Sequence, residues 1–167
     1  MKFLPIFLDS RAGPILLVGA GDPVRARLRL LLAAEAQVRW HATDGDFAVA
    51  GLDPAAASRI ERVDDPATIG LNEIIAVFCA GAGEIGIAVA ARARAAGLPV
   101  NVMDDPAHSS FIVPAVVDRG EVVVAVGTGG ASPVVARRVR ERIEALLPAR
   151  IGDLAALIGR WRKPVHD

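Results

Sequence analysis

"PILLVGAGDPVRARLRLLL", residues 14–32, puts an unbroken apolar run ahead of a Gly-x-Gly turn and a leucine-striped segment. A continuous apolar run reads as a strand buried on both faces, the kind that parallel sheets use. Leu28, Leu31 and Leu32 then recur at helical spacing, with Asp22 as the expected N-cap and Pro23 as the first helical residue. Outward from this unit, "AQVRWHA" (36–42), "SRIERVD" (58–64), "EIIAVFCA" (73–80) and "LPVNVMD" (98–104) read as further strands. Residues 84–96 form an Ala- and Arg-rich helix ended by Gly97, while 44–58 carry no clear element. Strands alternating with helices predict an α/β fold with a parallel sheet and right-handed crossovers.

The pattern changes after Pro106. "FIVPAVVDRGEVVVAVGT" (111–128) reads as two β-branched strands joined in a hairpin at Asp118-Arg119-Gly120. Ser132 caps and Pro133 opens a helix with Val135, Val139, Ile143 and Leu146 along one stripe, and Pro148 stops it. The expected organisation is a Rossmann-type doubly wound sheet over 1–106 and a β-hairpin-plus-helix dimerisation module over 107–148. A short helical tail follows over 149–167. The hairpin module has too little core to stand alone, and pairing with a second copy is its simplest stabilisation.

Composition narrows the function. The 167 residues are 53% hydrophobic, and 19 basic side chains balance 19 acidic ones, so no global charge favours nucleic acid. Cys79 is the single cysteine, which excludes an internal disulfide, argues against a cysteine-based metal site and suits a reducing cytoplasm. No segment reaches the ~20 apolar residues that span a bilayer. Pro5 and Asp9 interrupt the apolar start.

Two glycine turns compete for a phosphate. Gly81, Gly83 and Gly86 complete a formal G-x-G-x-x-G, whereas Gly19 and Gly21 are followed by Val24. In a sheet ordered 3-2-1-4-5, both turns line the crevice at the strands' C-terminal ends. We assign the pyrophosphate to Gly19–Val24 at a helix N-terminus, with Ala80 and Gly81 beside the dinucleotide. Structural packing of a helix on a strand is the competing reading of the later glycines. Asp44 lies ~20 residues past the first glycines, where dinucleotide folds carry a ribose-binding acid; Thr43 is its alternate. No arginine sits at the expected 2′-phosphate position unless Arg39 does, so NAD is favoured over NADP.

"LPIF" (4–7), "LLVGAGDPVRARLRLLL" (16–32), "NVMDDPAHSSFIVPAVVDRG" (101–120) and "VAVGTGGASPVVARRVRERIEALLP" (124–148) together point to a family. From about residue 3 to residue 160 the chain resembles the siroheme-synthase N-terminal module, the precorrin-2 dehydrogenase / sirohydrochlorin ferrochelatase family. The resemblance implies NAD-dependent oxidation of precorrin-2 to sirohydrochlorin, then Fe²⁺ insertion to give siroheme. It implies a homodimer with the tetrapyrrole in a cleft; the charge balance and the lack of a long apolar segment add the expectation of no nucleic acid and no membrane partner. It carries the catalytic role to Asp104 and NAD contacts to Asp22, Pro23, Thr43 and Asp44. A carboxylate there suits general-base work, although "DDPA" recurs at 64–67 as ordinary turn chemistry. Gly129, Gly130 and Ser132 suit the substrate's carboxylates. His108 is a lesser candidate for a second base or iron ligand, and His41 and His166 are weaker still. The residues nominate no resident metal site.

The chain departs from the family where Cys79-Ala80-Gly81-Ala82 replaces a hydroxyl and carboxylates, and where Arg27 replaces a lysine. The tail is also shorter than in relatives. Alternatives therefore stand beside the leading expectation: one of the two steps only, another tetrapyrrole or metal, or a non-catalytic module binding NAD or tetrapyrrole.

Overall fold

A computed structural model describes residues 2–46, 49 and 51–162, so His166 lies outside the described residues. The chain divides into two compact units, one covering Phe3–Phe111 and one beginning at Ile112.

The first unit is a five-stranded parallel sheet. Its strands are β1 (Ile15–Gly19), β2 (Val38–Ala42), β3 (Ile60–Arg62), β4 (Ala76–Ala80) and β5 (Val100–Val102). Their order is β3-β2-β1-β4-β5, as the crossover argument requires. In register, Leu17 lies between Trp40 and Phe78, and Gly19 between Ala42 and Ala80. Both β1 and β4 are buried at every residue, which explains their unbroken apolar runs.

Helices cover both faces. Helix α3 (Gly83–Ala95) packs Val89, Ala90 and Ala93 onto Leu16, Val18, Val77, Cys79 and Val100. Strand alternation turns Leu17, Trp40 and Phe78 to the opposite face. Helix α1 (Gly21–Ala33) belongs to that face and buries Val24, Leu28, Leu31 and Leu32. Each such side chain contributes about 1.5–3 kcal/mol by leaving water. Two local expectations need correction. The N-cap of α1 is Ala20, with Asp22 inside the first turn, because the helix begins directly from the Gly19–Gly21 turn. Residues 54–57, left without an element above, form the short helix α2 (Pro54–Ala57), capped by Asp53 accepting from Ala56 N–H.

β5 is an edge strand, and its outer edge is closed by hydroxyls instead of a sixth strand. Ser110 Oγ accepts from Val100 N–H at 2.8 Å and Ser109 Oγ from Val102 N–H at 2.9 Å. This blunts an edge open to further pairing and ties the 103–110 loop back onto the strand it leaves.

The second unit is a hairpin of β6 (Ala115–Arg119) and β7 (Val122–Val126), with Arg119 opposite Val122 across a two-residue turn. Gly120 takes φ +70° in that turn and donates its N–H to Asp118 at 2.8 Å. Helix α4 (Pro133–Leu146) is capped by Ser132, whose side chain accepts from Val135 N–H. Helix α5 (Ile151–Arg162) presses Gly152 against the hairpin, where an added Cβ would stand 1.6 Å from the Arg119 carbonyl oxygen. The expected stripe on α4 does not face inward as a whole. Ala136 is its buried residue, whereas Val135, Val139 and Leu146 remain 52%, 40% and 81% exposed. No helix among the described residues is long and apolar enough to cross a membrane.

Candidate functional site

Parallel pairing collects the chemistry at one edge. The Gly19–Gly21 turn follows β1, Thr43 and Asp44 follow β2, Gly81 follows β4, and Asp104 follows β5. All four segments leave the sheet at its C-terminal end, where open α/β sheets bind ligands.

The two glycine turns interlock. A Cβ on Gly19, at φ +145°, would lie 1.7 Å from the Ala80 carbonyl oxygen; one on Gly81 would lie 2.7 Å from the Ala20 carbonyl oxygen. The turns therefore form one backbone surface. Gly86 is a packing glycine, since its Cβ would meet Ala82 Cβ at 2.5 Å and Cys79 Cβ at 3.3 Å. Val24 is fully buried where a third glycine would bring α1 closer to the sheet.

An anion fits this surface by a test internal to the chain. The Ala20 cap of α1 makes no side-chain hydrogen bond, so the first N–H groups of the helix keep their donor capacity. Gly21 has φ +67°, and an added Cβ would meet nothing nearer than Pro23 Cδ at 3.7 Å. The later turn resembles it: Ala82 caps α3 without a side-chain bond, and Gly83 has φ +55° with open space above it.

The end of β2 is tied to the same turn. Trp40 Nε1 and Thr43 N–H both donate to the Gly19 carbonyl, at 3.2 and 3.3 Å. One Asp44 carboxylate oxygen accepts from Asp46 N–H at 3.0 Å. Arg25, unremarked in the sequence, joins this turn to α1 through Asp46 at 3.4 Å and Asp22 at 3.8 Å. Arg39 stands elsewhere. It lies near the start of β2 and bridges Glu61 and Glu73, each at 3.0 Å, and these carboxylates push its guanidinium pKa up.

The repeated "DDPA" resolves into two different devices. In both copies the second Asp closes the turn: Asp65 accepts from Ala67 N–H at 2.8 Å, and Asp105 accepts from Ala107 and His108 N–H at 3.1 Å each. The first Asp separates them. Asp64 forms an exposed pair with Arg62 at 2.9 Å. Asp104 instead takes φ +61°, one of two non-glycine residues with positive φ among the described residues. Such backbones persist when surrounding bonds over-determine them. Here Met103 N–H donates to Cys79, Asp105 N–H to Val102, and Ser109 Oγ to the Asp105 carbonyl at 2.7 Å.

Helix α1 carries a polar group that the sequence marked only as a lysine replacement. Arg27, half-buried, lies over the Phe78 ring at 5.9 Å. Burial pulls its guanidinium pKa down, and the Asp104 carboxylate pushes it partly back. The signals were an arginine inside the leucine-striped helix and Asn101 between the two valines of β5. Asn101 is 6% exposed and donates Nδ2–H to the Phe111 carbonyl at 3.0 Å.

His108 is not available as an unencumbered base. Its Nδ1 meets Asp105 Oδ2 at 2.5 Å, and that contact holds the Asp105 carboxyl below the usual range. His41 is tied to the Val63 carbonyl at 2.9 Å. Among the described residues no cluster of three or more His, Cys, Asp or Glu forms a metal site. Burial pushes the Cys79 thiol up to about 12, so it stays protonated and unreactive at neutral pH. Thiol labelling at pH 7 is expected only under denaturant; rapid labelling of the native protein would contradict this burial. In the second unit Gly129 and Gly130 take φ +64° and +86° with open space around them. The Ser132 cap consumes one N–H of α4, leaving that helix start fewer donors for an anion than α1 has.

Comparison with known proteins fits this geometry. Residues 6–115 match the family described as "Putative NAD(P)-binding", and residues 119–146 match "Sirohaem biosynthesis protein central". The chain is 41% identical over 167 residues to the siroheme synthase of Methylococcus capsulatus and 42% identical over 172 residues to that of Thiobacillus denitrificans. In each case all of this chain aligns with 35% of the relative, so it spans about a third of their length. The solved structure "SirC, precorrin-2 dehydrogenase" superposes with TM-score 0.72 at 18% identity, covering 98% of this chain and 81% of its own. That likeness concerns the fold.

Proposed function

The chain belongs to the family of siroheme-synthase N-terminal NAD(P)-binding modules, and from that premise we propose that it oxidises precorrin-2 to sirohydrochlorin with NAD⁺. The observation that carries the reading is one crevice edge joining an uncapped helix N-terminus to a carboxylate on a constrained backbone.

Bound NAD⁺ supplies the hydride acceptor. The chain's residues do the rest. The Gly19–Gly21 turn and the first N–H groups of α1 hold the pyrophosphate, with Asp22 and Pro23 shaping the turn. Thr43 and Asp44 face the ribose end, and Ala80 and Gly81 present bare backbone alongside. With Arg39 occupied by two carboxylates, nothing in β2 answers a 2′-phosphate, which favours NAD over NADP. Asp104 is the general base that takes the ring proton released with the hydride. Gly129, Gly130 and Ser132 receive substrate carboxylates. Fe²⁺ insertion uses the same carboxylate to accept pyrrole protons, with the ion as substrate. We assign the work to the cytoplasm. The test is sirohydrochlorin formation from precorrin-2 and NAD⁺. Nucleotide binding without turnover would favour the non-catalytic module, for which the side-chain-poor Ala80–Ala82 turn speaks.

A homodimer completes the proposal. A lone two-stranded hairpin is marginal in water, and α4 turns Val135, Val139 and Leu146 outward. Val139→Asp is expected to convert dimer to monomer in sedimentation equilibrium. A wild type that sediments as a monomer at micromolar concentration would sink this part.

A further inference from the structure

We propose that Ser109 is a positioning residue for Asp104: its hydroxyl grips the main chain on both sides of that residue and holds the left-handed turn from which the carboxylate projects. The inference rests on the reading of Asp104 as the base.

The Asp104 side chain is exposed, and among the described residues its carboxylate makes no hydrogen bond or ion pair. The place of such a group is set by the direction in which the backbone sends its Cβ. At φ +61° that backbone lies in a region which non-glycine residues leave unless they are held there. A general base must stand within hydrogen-bond reach of its proton, and a small misplacement is costly.

Ser109 supplies the hold. Its Oγ accepts from Val102 N–H at 2.9 Å, two residues before the base. Its one proton reaches the Asp105 carbonyl at 2.7 Å, with the Val102 carbonyl a longer alternative at 3.1 Å. The Val102 carbonyl accepts from Asp105 N–H at 3.2 Å, so this hydroxyl and one backbone bond close a ring around Met103 and Asp104. The Asp105 carboxylate fixes the far side of the loop through Ala107 and His108 N–H, at 3.1 Å each. Ser110 shows what is particular to its neighbour. Its Oγ accepts from Val100 N–H at 2.8 Å and donates back to the Val100 carbonyl at 3.3 Å. Both serines cap the edge of β5; of the two, Ser109 alone reaches across to the residue that follows the base.

The neighbouring serine is therefore the matched control. Ser109→Ala is expected to lower kcat about 10–100-fold by releasing the turn, with the KM for NAD⁺ unchanged because the pyrophosphate turn is untouched. Ser110→Ala removes a similar edge cap and should shift the urea midpoint by a similar amount while keeping the wild-type kcat. Ser109→Thr keeps the hydroxyl and should retain most of the rate. Ser109→Cys, close to serine in size but a weak donor and acceptor, should lose rate as the alanine does, and it stands in if the alanine variant does not fold. In an Asp104→Asn background Ser109→Ala should cost nothing further, since the two residues act as one unit. A readout without turnover accompanies these: hydrogen exchange at the Asp105 amide should quicken in Ser109→Ala and stay unchanged in Ser110→Ala.

Full activity in a folded Ser109→Ala or Ser109→Cys variant, equal rate losses in the two alanine variants, additive losses in the double variant, or an Asp105 amide indifferent to Ser109→Ala would each overturn the proposal. A wild type with no turnover whose Asp105 amide still responds would overturn the dehydrogenase reading instead, leaving the hold of Ser109 on the turn in place.

Discussion

Asp104→Asn is expected to cut precorrin-2 oxidation about 10²–10⁴-fold while leaving the protein folded and its NAD⁺ affinity unchanged. Asparagine is the informative substitution because of the backbone. At φ +61° an alanine adds strain of its own, whereas asparagine tolerates the left-handed region about as well as aspartate. The change thus removes the charge and keeps the turn. Asp64→Asn, at the matching position of the other "DDPA", is the control. Its exposed pair with Arg62 is worth little, and turnover should be that of the wild type. Steady-state kinetics with isothermal titration of NAD⁺ make the comparison. Undiminished turnover in Asp104→Asn would remove this carboxylate from the chemistry.

The largest effect on stability is expected from Gly19→Ala. The new methyl would have to occupy space 1.7 Å from the Ala80 carbonyl oxygen, and φ +145° is closed to ordinary side chains. Backbone strain and overpacking each cost on the order of 1–3 kcal/mol. Both would act at the pairing of the two most buried strands, so the variant should lose a large part of a marginal stability. Gly129→Ala provides the comparison: φ is also positive, but no atom lies within 4 Å of the added carbon, so only the backbone term applies. Urea titration should separate the two variants clearly. Equal midpoints would mean that β1 and β4 yield to the methyl.

Much of this was legible in the residues, for definite reasons. β1 and β4 were readable because burial on both faces writes an unbroken apolar run. The crevice followed, because parallel strands leave by the same end. The helix starts were less legible. Asp22 looks like a cap from its type, yet a Gly-x-Gly turn carries the chain straight into the helix and leaves Ala20 as cap. The α4 stripe was seen but its direction was not, since periodicity reports that a helix has an apolar face and is silent about what lies opposite. The site divided in the same way. Asp104 and the glycines have local signatures, whereas Arg27 gains meaning only from a ring on another element. Spacing alone did not separate one "DDPA" from the other; the resemblance did, and the positive φ at Asp104 distinguishes the two backbones.

The mutual contact of the two turns bears on how this protein can drift. Position 19 is locked by a carbonyl and position 81 by another, so the path of both turns is held in common and neither can lengthen or bend alone. Positions beside the crossing are less constrained: an added Cβ at Gly83 would meet nothing within 4 Å. Modules built this way should therefore take up chemical change on the rim of the crevice more readily than in the backbone crossing beneath it.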